Sequence, residues 1–264
     1  MMPEKIADNT IKAGITGTGG EIVYKLMEGN ELVIIDYSKE LYDGDGTPNF
    51  QVIEDVSDIS VSETSSMIVK TDGSLWGRGN NCYGQLGDGT IDDKEDFVHI
   101  MDDVMSVSLG KSHCLAITSD KSLYSWGLNN DGQLGIEVNE ENPSLPITKP
   151  VKVAEDVIWI SSGTLCSFFI TADNKLWGLG AGGLSLTIGG AKQYNYEPLF
   201  IMDNMIAVKA YKYHMMALDR DGILWGWGNN NRGQLGVGMS DPNGKDADEY
   251  MPVKIMDGIE YIGR

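Results

Sequence analysis

The chain has 264 residues, 41% of them apolar, enough material for one large domain or two small ones with a sizeable core. A formal net charge of −19 argues against nucleic acid or an anionic membrane as the main partner, because binding phosphate rests on Lys and Arg. The same charge suits a basic protein partner, although solubility through self-repulsion is the plainer reading.

The first ten residues, MMPEKIADNT, carry no apolar signal core, and no run approaches membrane-spanning length. The odd cysteine count (Cys82, Cys114 and Cys166) offers neither a disulfide framework nor a CxxC metal spacing. A cytoplasmic, reduced setting is expected, or an extracellular one if the chain is an excised fragment.

Residues 1–18 read as an extension, with GIT at 14–16 as a possible strand of its own. EIVYKLMEGNELVIID (21–36) reads as a hairpin lacking a Trp. From there a unit recurs. Aligned on Leu32, Leu75, Leu123, Leu176 and Leu224, the intervals are 43, 48, 53 and 48 residues. Trp76, Tyr124, Trp177 and Trp225 share one column, and Arg78, Trp126, Leu179 and Trp227 share another. Upstream of four of the leucines, IVKTDGSL, AITSDKSL, FITADNKL and ALDRDGIL predict an apolar strand, a tight turn and a second strand. A further strand precedes each hairpin (DISVS, MSVSL, IWISS, IAVKA), itself preceded by a short segment (VIED, FVHIMDD, PVKVAED, PLFIMDN). Downstream come GNNCYGQLG (79–87), GLNNDGQLG (127–135) and GNNNRGQLG (228–236), whose Gly and Asn suit turns with positive φ.

A sheet this small cannot bury both its faces alone, so repeated units stack, and a closed β-propeller removes the end faces. The predicted fold is all-β, with about five four-stranded blades. PVKIMDGIEYIGR (252–264) matches FVHIMDDVMSVSL (97–109), which predicts one blade shared by both termini. The expected boundaries are 1–18 for the extension, 19–47 plus 252–264 for the degenerate blade, and 48–96, 97–149, 150–197 and 198–251 for the repeat blades.

The pattern DG-x-LW-x-WG-x-N-x-x-GQLG-x-G, with His113 and His214 about ten residues before their leucines, resembles the regulator of chromosome condensation repeat family. The resemblance is strong over 48–264 and weak over 19–47. It implies a β-propeller, most family members having seven blades, so an open fragment of a seven-bladed ring is the alternative architecture. It also implies action by binding proteins: the family includes exchange factors for small GTPases and inhibitors of secreted β-lactamases. The repeat motif itself carries no catalytic side chain, and fold alone does not fix function.

The six Trp are expected to fill inter-blade core. Gln85, Gln133 and Gln234 are expected to bond backbone at a blade edge. Three histidines leave little for a metal or acid–base centre, the Asp-Gly pairs lack the ligand spacing of a calcium loop, and no GxSxG or P-loop occurs. The chain is therefore expected to be no enzyme, and to need neither cofactor nor metal.

Candidate partner-binding residues lie where the repeat breaks. KAYKYH (209–214) places Tyr211, Lys212 and Tyr213 where related units have Gly and small residues. The unit that loses GQLG carries Tyr194 and Tyr196. Exposed aromatics on a rigid loop make binding hot spots, with local packing as the equal alternative. Between units, Asp92, Asp93, Glu95, Asp96, Asp246, Asp248 and Glu249 are expected to form an acidic rim that steers a basic partner. The leading expectation is a monomeric, non-catalytic protein-binding scaffold. Alternatives are a guanine-nucleotide exchange factor for a small GTPase and a cell-surface or carbohydrate-binding module.

Overall fold

A computed structural model describes residues 9–16, 22–37, 49–137, 145–181, 196–238 and 249–260. Their strands form five antiparallel sheets of four, and within each sheet spatial order follows chain order. The first sheet holds β1 (Thr10–Thr16), β2 (Ile22–Met27), β3 (Leu32–Asp36) and β4 (Asn49–Ile53). The second holds β5 (Val56–Val61), β6 (Ser65–Lys70), β7 (Leu75–Gly79) and β8 (Lys94–Met101). The third holds β9 (Val104–Leu109), β10 (His113–Thr118), β11 (Leu123–Gly127) and β12 (Ile147–Ala154). The fourth holds β13 (Val157–Ser162), β14 (Cys166–Thr171), β15 (Leu176–Gly180) and β16 (Leu199–Met202). The fifth holds β17 (Met205–Ala210), β18 (His214–Asp219), β19 (Leu224–Gly228) and β20 (Glu249–Met256). This is a five-bladed, all-β propeller.

Two turns recur in each unit and explain the period. The hairpin between second and third strands places Asn30, Gly73, Lys121, Asn174 or Gly222 at positive φ, two residues before the aligned leucine. In the second and third sheets an aspartate just before that position caps the turn: Ser74 N donates to the Asp72 carboxylate at 2.9 Å, and Ser122 N to that of Asp120 at 3.1 Å. The second turn links the outer strand of one sheet to the first strand of the next. It is two residues long and has Asp55, Asp103, Asp156 or Asn204 at positive φ. The residue after it donates to the preceding hairpin: Val56 N to Asn30 O, Val104 N to Gly73 O, Val157 N to Lys121 O and Met205 N to Asn174 O. One sheet's turn thus fixes where the next sheet starts.

That linkage corrects the expected division of the strands. The segments read as first strands of each unit are the outer strands of the sheet before, paired with its aromatic strand: Trp76↔His99, Tyr124↔Lys152, Trp177↔Phe200 and Trp225↔Lys254. Among the described residues the blade shared by the termini does not form. β20 completes the fifth sheet, and the first is completed by β1, which contains the GIT segment. The backbone ladder decides this, because Leu224↔Met256 and Ile15↔Val23 satisfy groups that a shared blade would pair elsewhere.

Between sheets the core is apolar. Met67, Val69 and Leu86 of the second meet Val107, Cys114 and Trp126 of the third, while Phe168 and Ile170 of the fourth meet Val208, Met215 and Trp227 of the fifth. The first strands lie side by side around a channel and are tied by serine rungs. Ser60 Oγ accepts from Leu109 N at 2.8 Å, Ser108 Oγ from Ser162 N at 2.9 Å and Ser161 Oγ from Ala210 N at 2.8 Å. At the next rung stands Lys209, which cannot accept. On the far side of that seam Ala13 and Ile15 are exposed, whereas Ile59, Val107, Ile160 and Val208, the counterparts of Ala13, are buried.

Candidate protein-binding face

Two sets of loops emerge at one end of the propeller: the turns joining first and second strands, and the GQLG loops after the third. Backbone bonds hold them together, Asn80 N to Thr64 O, Leu128 N to Ser112 O and Asn229 N to Tyr213 O. The Tyr211–Tyr213 turn and the acidic loops therefore share a face.

The GQLG loops are braced from inside. Asn81, Asn129 and Asn230 are buried, and each side-chain carbonyl accepts the N–H of the leucine in its motif, at 2.9 Å for Leu86 and 3.0 Å for Leu134 and Leu235. Gln85, Gln133 and Gln234 each accept a backbone N–H two residues earlier at 2.9 Å. Trp126 Nε1 donates to Gln85 O at 2.9 Å, bolting one sheet's indole to its neighbour's loop. Trp227 occupies the same column, but the unit before it lacks the GQLG motif, and its Nε1 has no partner among the described residues.

The Tyr211 turn closes through Tyr211 N to His214 O at 3.0 Å, and the two rings stack with centroids 5.0 Å apart and planes 7° apart. Tyr211 and Tyr213 are both about half exposed, at 49% and 55%. Lys212 pairs with Glu63, across from the fifth sheet to the second, and lowers the Glu63 pKa through that hydrogen bond. A cavity of about 270 Å³ lies between these turns, lined by Glu63, Lys111, Tyr211, Lys212 and Tyr213 among others. The tyrosine is tolerated for a steric reason. A Cβ on Gly110 would meet Gly163 O at 2.6 Å, and one on Gly163 would meet Tyr211 O at 2.9 Å. Each turn leans over the one before it; Tyr211 ends that series.

The acidic residues divide. Asp92 is exposed on its loop, whereas Asp93, though exposed, accepts from Asn81 N at 2.7 Å and from the Asn80 amide. Asp88 is occupied by Asn81, Thr90 and Lys94. Glu95 and Asp96 are exposed on β8, and Glu249 is half-buried on β20, so these three lie on strands rather than on a loop rim. Tyr196 is half-buried. Tyr194, Asp246 and Asp248 lie outside the described residues. Sequence reasoning missed Glu63 and Lys111, whose place beside Tyr211 depends on sheets meeting across the channel. Among the described residues no cluster of His, Cys, Asp or Glu is arranged to hold a metal.

Comparison with known proteins decides the family. Models of the regulator of chromosome condensation (RCC1) repeat match residues 72–117, 120–170 and 221–260, with a second model on 104–133 and 205–234. The chain belongs to the RCC1-repeat family. Among solved structures it resembles yeast RCC1 (Prp20) bound to Kap60, with a TM-score of 0.73 and 20% identity, over 90% of this chain and 59% of that one. A separate structure of Prp20p from Saccharomyces cerevisiae, reported with its binding properties to Gsp1p and histones, matches with the same TM-score and identity over 90% and 61%. Human WBSCR16 matches with a TM-score of 0.73 and 18% identity, over 89% and 65%. The curated relative "Probable E3 ubiquitin-protein ligase HERC6" of Homo sapiens is 31% identical over 105 residues, 37% of this chain and 10% of that protein. The chain thus spans about three fifths of the solved relatives and a tenth of this curated one.

These RCC1-repeat relatives correct two expectations. The chain was expected to be no enzyme for want of reactive side chains. The yeast relative sharing its fold, Prp20p, is reported with binding to Gsp1p, and a protein that acts by binding can promote a reaction without a reactive group, so that argument fails. The cytoplasmic expectation is overturned as well, by yeast relatives reported with Kap60 and with histones.

Proposed function

We propose that this RCC1-repeat propeller recognises a protein partner on the face that carries the GQLG loops and the Tyr211 turn. The supporting observation is the pair of half-exposed tyrosines on a hydrogen-bonded turn beside the channel mouth. Aromatic side chains held in place before binding lose little freedom on contact, which makes them effective anchors. Exposed Asp92 on the same face favours a partner with basic groups around its contact patch. Replacing Tyr211 and Tyr213 together by Ala is expected to weaken partner binding about tenfold or more. Unchanged affinity in a titration of a partner captured from the native host would remove this turn from the interface.

Exchange on a small GTPase is the finer reading, favoured over an inert scaffold by the likeness to Prp20, whose structure is reported with its binding to the GTPase Gsp1p. Such a factor accelerates nucleotide release by binding the nucleotide-free form more tightly than the loaded one. Release of a fluorescent guanine nucleotide from candidate GTPases is expected to quicken with this chain and to slow again with the double tyrosine variant. No acceleration with any GTPase of the host would refute exchange while leaving recognition standing.

A further inference from the structure

At the opposite end of the channel from the Tyr211 turn lies a cavity of about 520 Å³, bordered by the first strands of all five sheets. In a chain of net charge −19, its charged lining among the described residues is Lys12, Lys121 and Lys209 against the single carboxylate of Asp58. That carboxylate is already saturated. Its Oδ1 accepts from Lys12 Nζ at 2.6 Å and Ile59 N at 2.9 Å, and its Oδ2 from Ser106 Oγ at 3.0 Å and Val107 N at 3.2 Å.

Lys209 is different. Among the described residues its ammonium has neither ion pair nor hydrogen bond, yet it is largely withdrawn from water. Burial lowers its pKa, the nearby ammonium of Lys12 lowers it further, and Asp58 only partly opposes them. It stands at the seam where the serine rungs stop. The rung serines add a second feature: Ser60, Ser108 and Ser161 border the cavity and use their oxygens to accept backbone N–H groups, but their hydroxyl hydrogens have no acceptor among the described residues. Unpaired cationic and hydroxyl donors therefore line one partly enclosed space. A donor withdrawn from bulk water and lacking a protein acceptor gains from an incoming anion that supplies one.

We propose that this cavity binds a small oxyanion of the phosphate or carboxylate class, held by Lys209 with Lys12 beside it and the rung hydroxyls as further donors. The anion neutralises Lys209, which faces the Asp58-paired Lys12 across the seam between fifth and first sheets, so binding also tightens that seam.

The test is titration of the intact chain with inorganic phosphate and, separately, with succinate, at constant ionic strength set with chloride. Calorimetry and thermal unfolding are read for the wild type, Lys209→Met, Lys209→Arg and Lys212→Met. Saturable binding of at least one anion, with a raised Tm, is expected in the wild type, Lys209→Arg and Lys212→Met, and at least tenfold weaker binding in Lys209→Met. The anion that binds identifies the source, phosphate or carboxylate. Absence of binding for both in the wild type, or equal binding in Lys209→Met, overturns the proposal. Should Lys209→Met fail to fold, the ε-methylene NMR resonances of wild-type lysines decide: a saturable shift of the Lys209 signal supports the site, and an unmoved signal refutes it.

Discussion

His113 is fully buried, and its Nε2 lies 2.9 Å from Ser167 Oγ. Ser167 spends its own hydrogen on Gln133 O at 2.7 Å, so the imidazole must donate from Nε2, leaving Nδ1 bare and without a side-chain partner among the described residues. Burial pushes the pKa down to about 4. The folded protein therefore holds this ring neutral while the unfolded chain takes up a proton near pH 6.5. Its contribution is intact above that pH and is lost as the pH falls toward 4, a change of about 3 kcal/mol at most. Urea unfolding at pH 7 and pH 4.5 is expected to show a smaller acid loss for His113→Gln than for the wild type; equal losses would refute the assignment. The thiols separate by the same physics. Cys82 is exposed, whereas burial pushes Cys166 up to about 12 and Cys114 well above its ordinary value. A thiol-specific reagent is expected to label Cys82 alone in the native protein and all three after denaturation. At this scale the repeat register was a good guide to the glutamines, whose side chains bond backbone as expected. It did not foretell that His214, in the same column as His113, would be half-buried and stacked on Tyr211, because that depends on which strands lie beyond the fifth sheet in space.

The strand hairpins were legible because their turns have a local chemistry, Asp followed by a residue at positive φ. The division into sheets was not. A two-residue link such as Asp102–Asp103 looks like a hairpin turn between neighbours, yet here it crosses from one sheet to the next. Only the bonds from Val104 N to Gly73 O and from Ser119 N to Asp103 O distinguish the two cases, and these join residues far apart in sequence. The Trp126 contact tests how sheets are joined. Trp126→Phe keeps most of the buried ring but loses the bond to Gln85 O, and is expected to cost about 1–3 kcal/mol. Trp126→Ala also opens a cavity and is expected to cost about 3–5 kcal/mol. Denaturant midpoints at unchanged slope measure both, and two equal losses would mean that the indole fills no space between sheets.

Across the whole molecule the electrostatics are uneven. The outer surface carries the excess carboxylates, whereas the channel lining among the described residues is net positive. If exposed acidic groups steer the partner, its association rate is expected to fall between low and moderate salt while dissociation changes little. A stopped-flow association rate that ignores salt would remove steering from the mechanism. The face was only half legible: the tyrosine turn stood out as a break in the repeat, but Glu63 and Lys111 come to it from sheets two and three, about 150 and 100 residues earlier in the chain.

Among the described residues every sheet takes its four strands from one stretch of chain, and none borrows a strand from the other end. Such an assembly has no clasp whose loss would spring the whole. It can gain or shed a complete module by duplication or deletion of a single genetic segment, leaving each remaining module with its backbone bonds intact. The number of blades is then a quantity that evolution can adjust in whole steps.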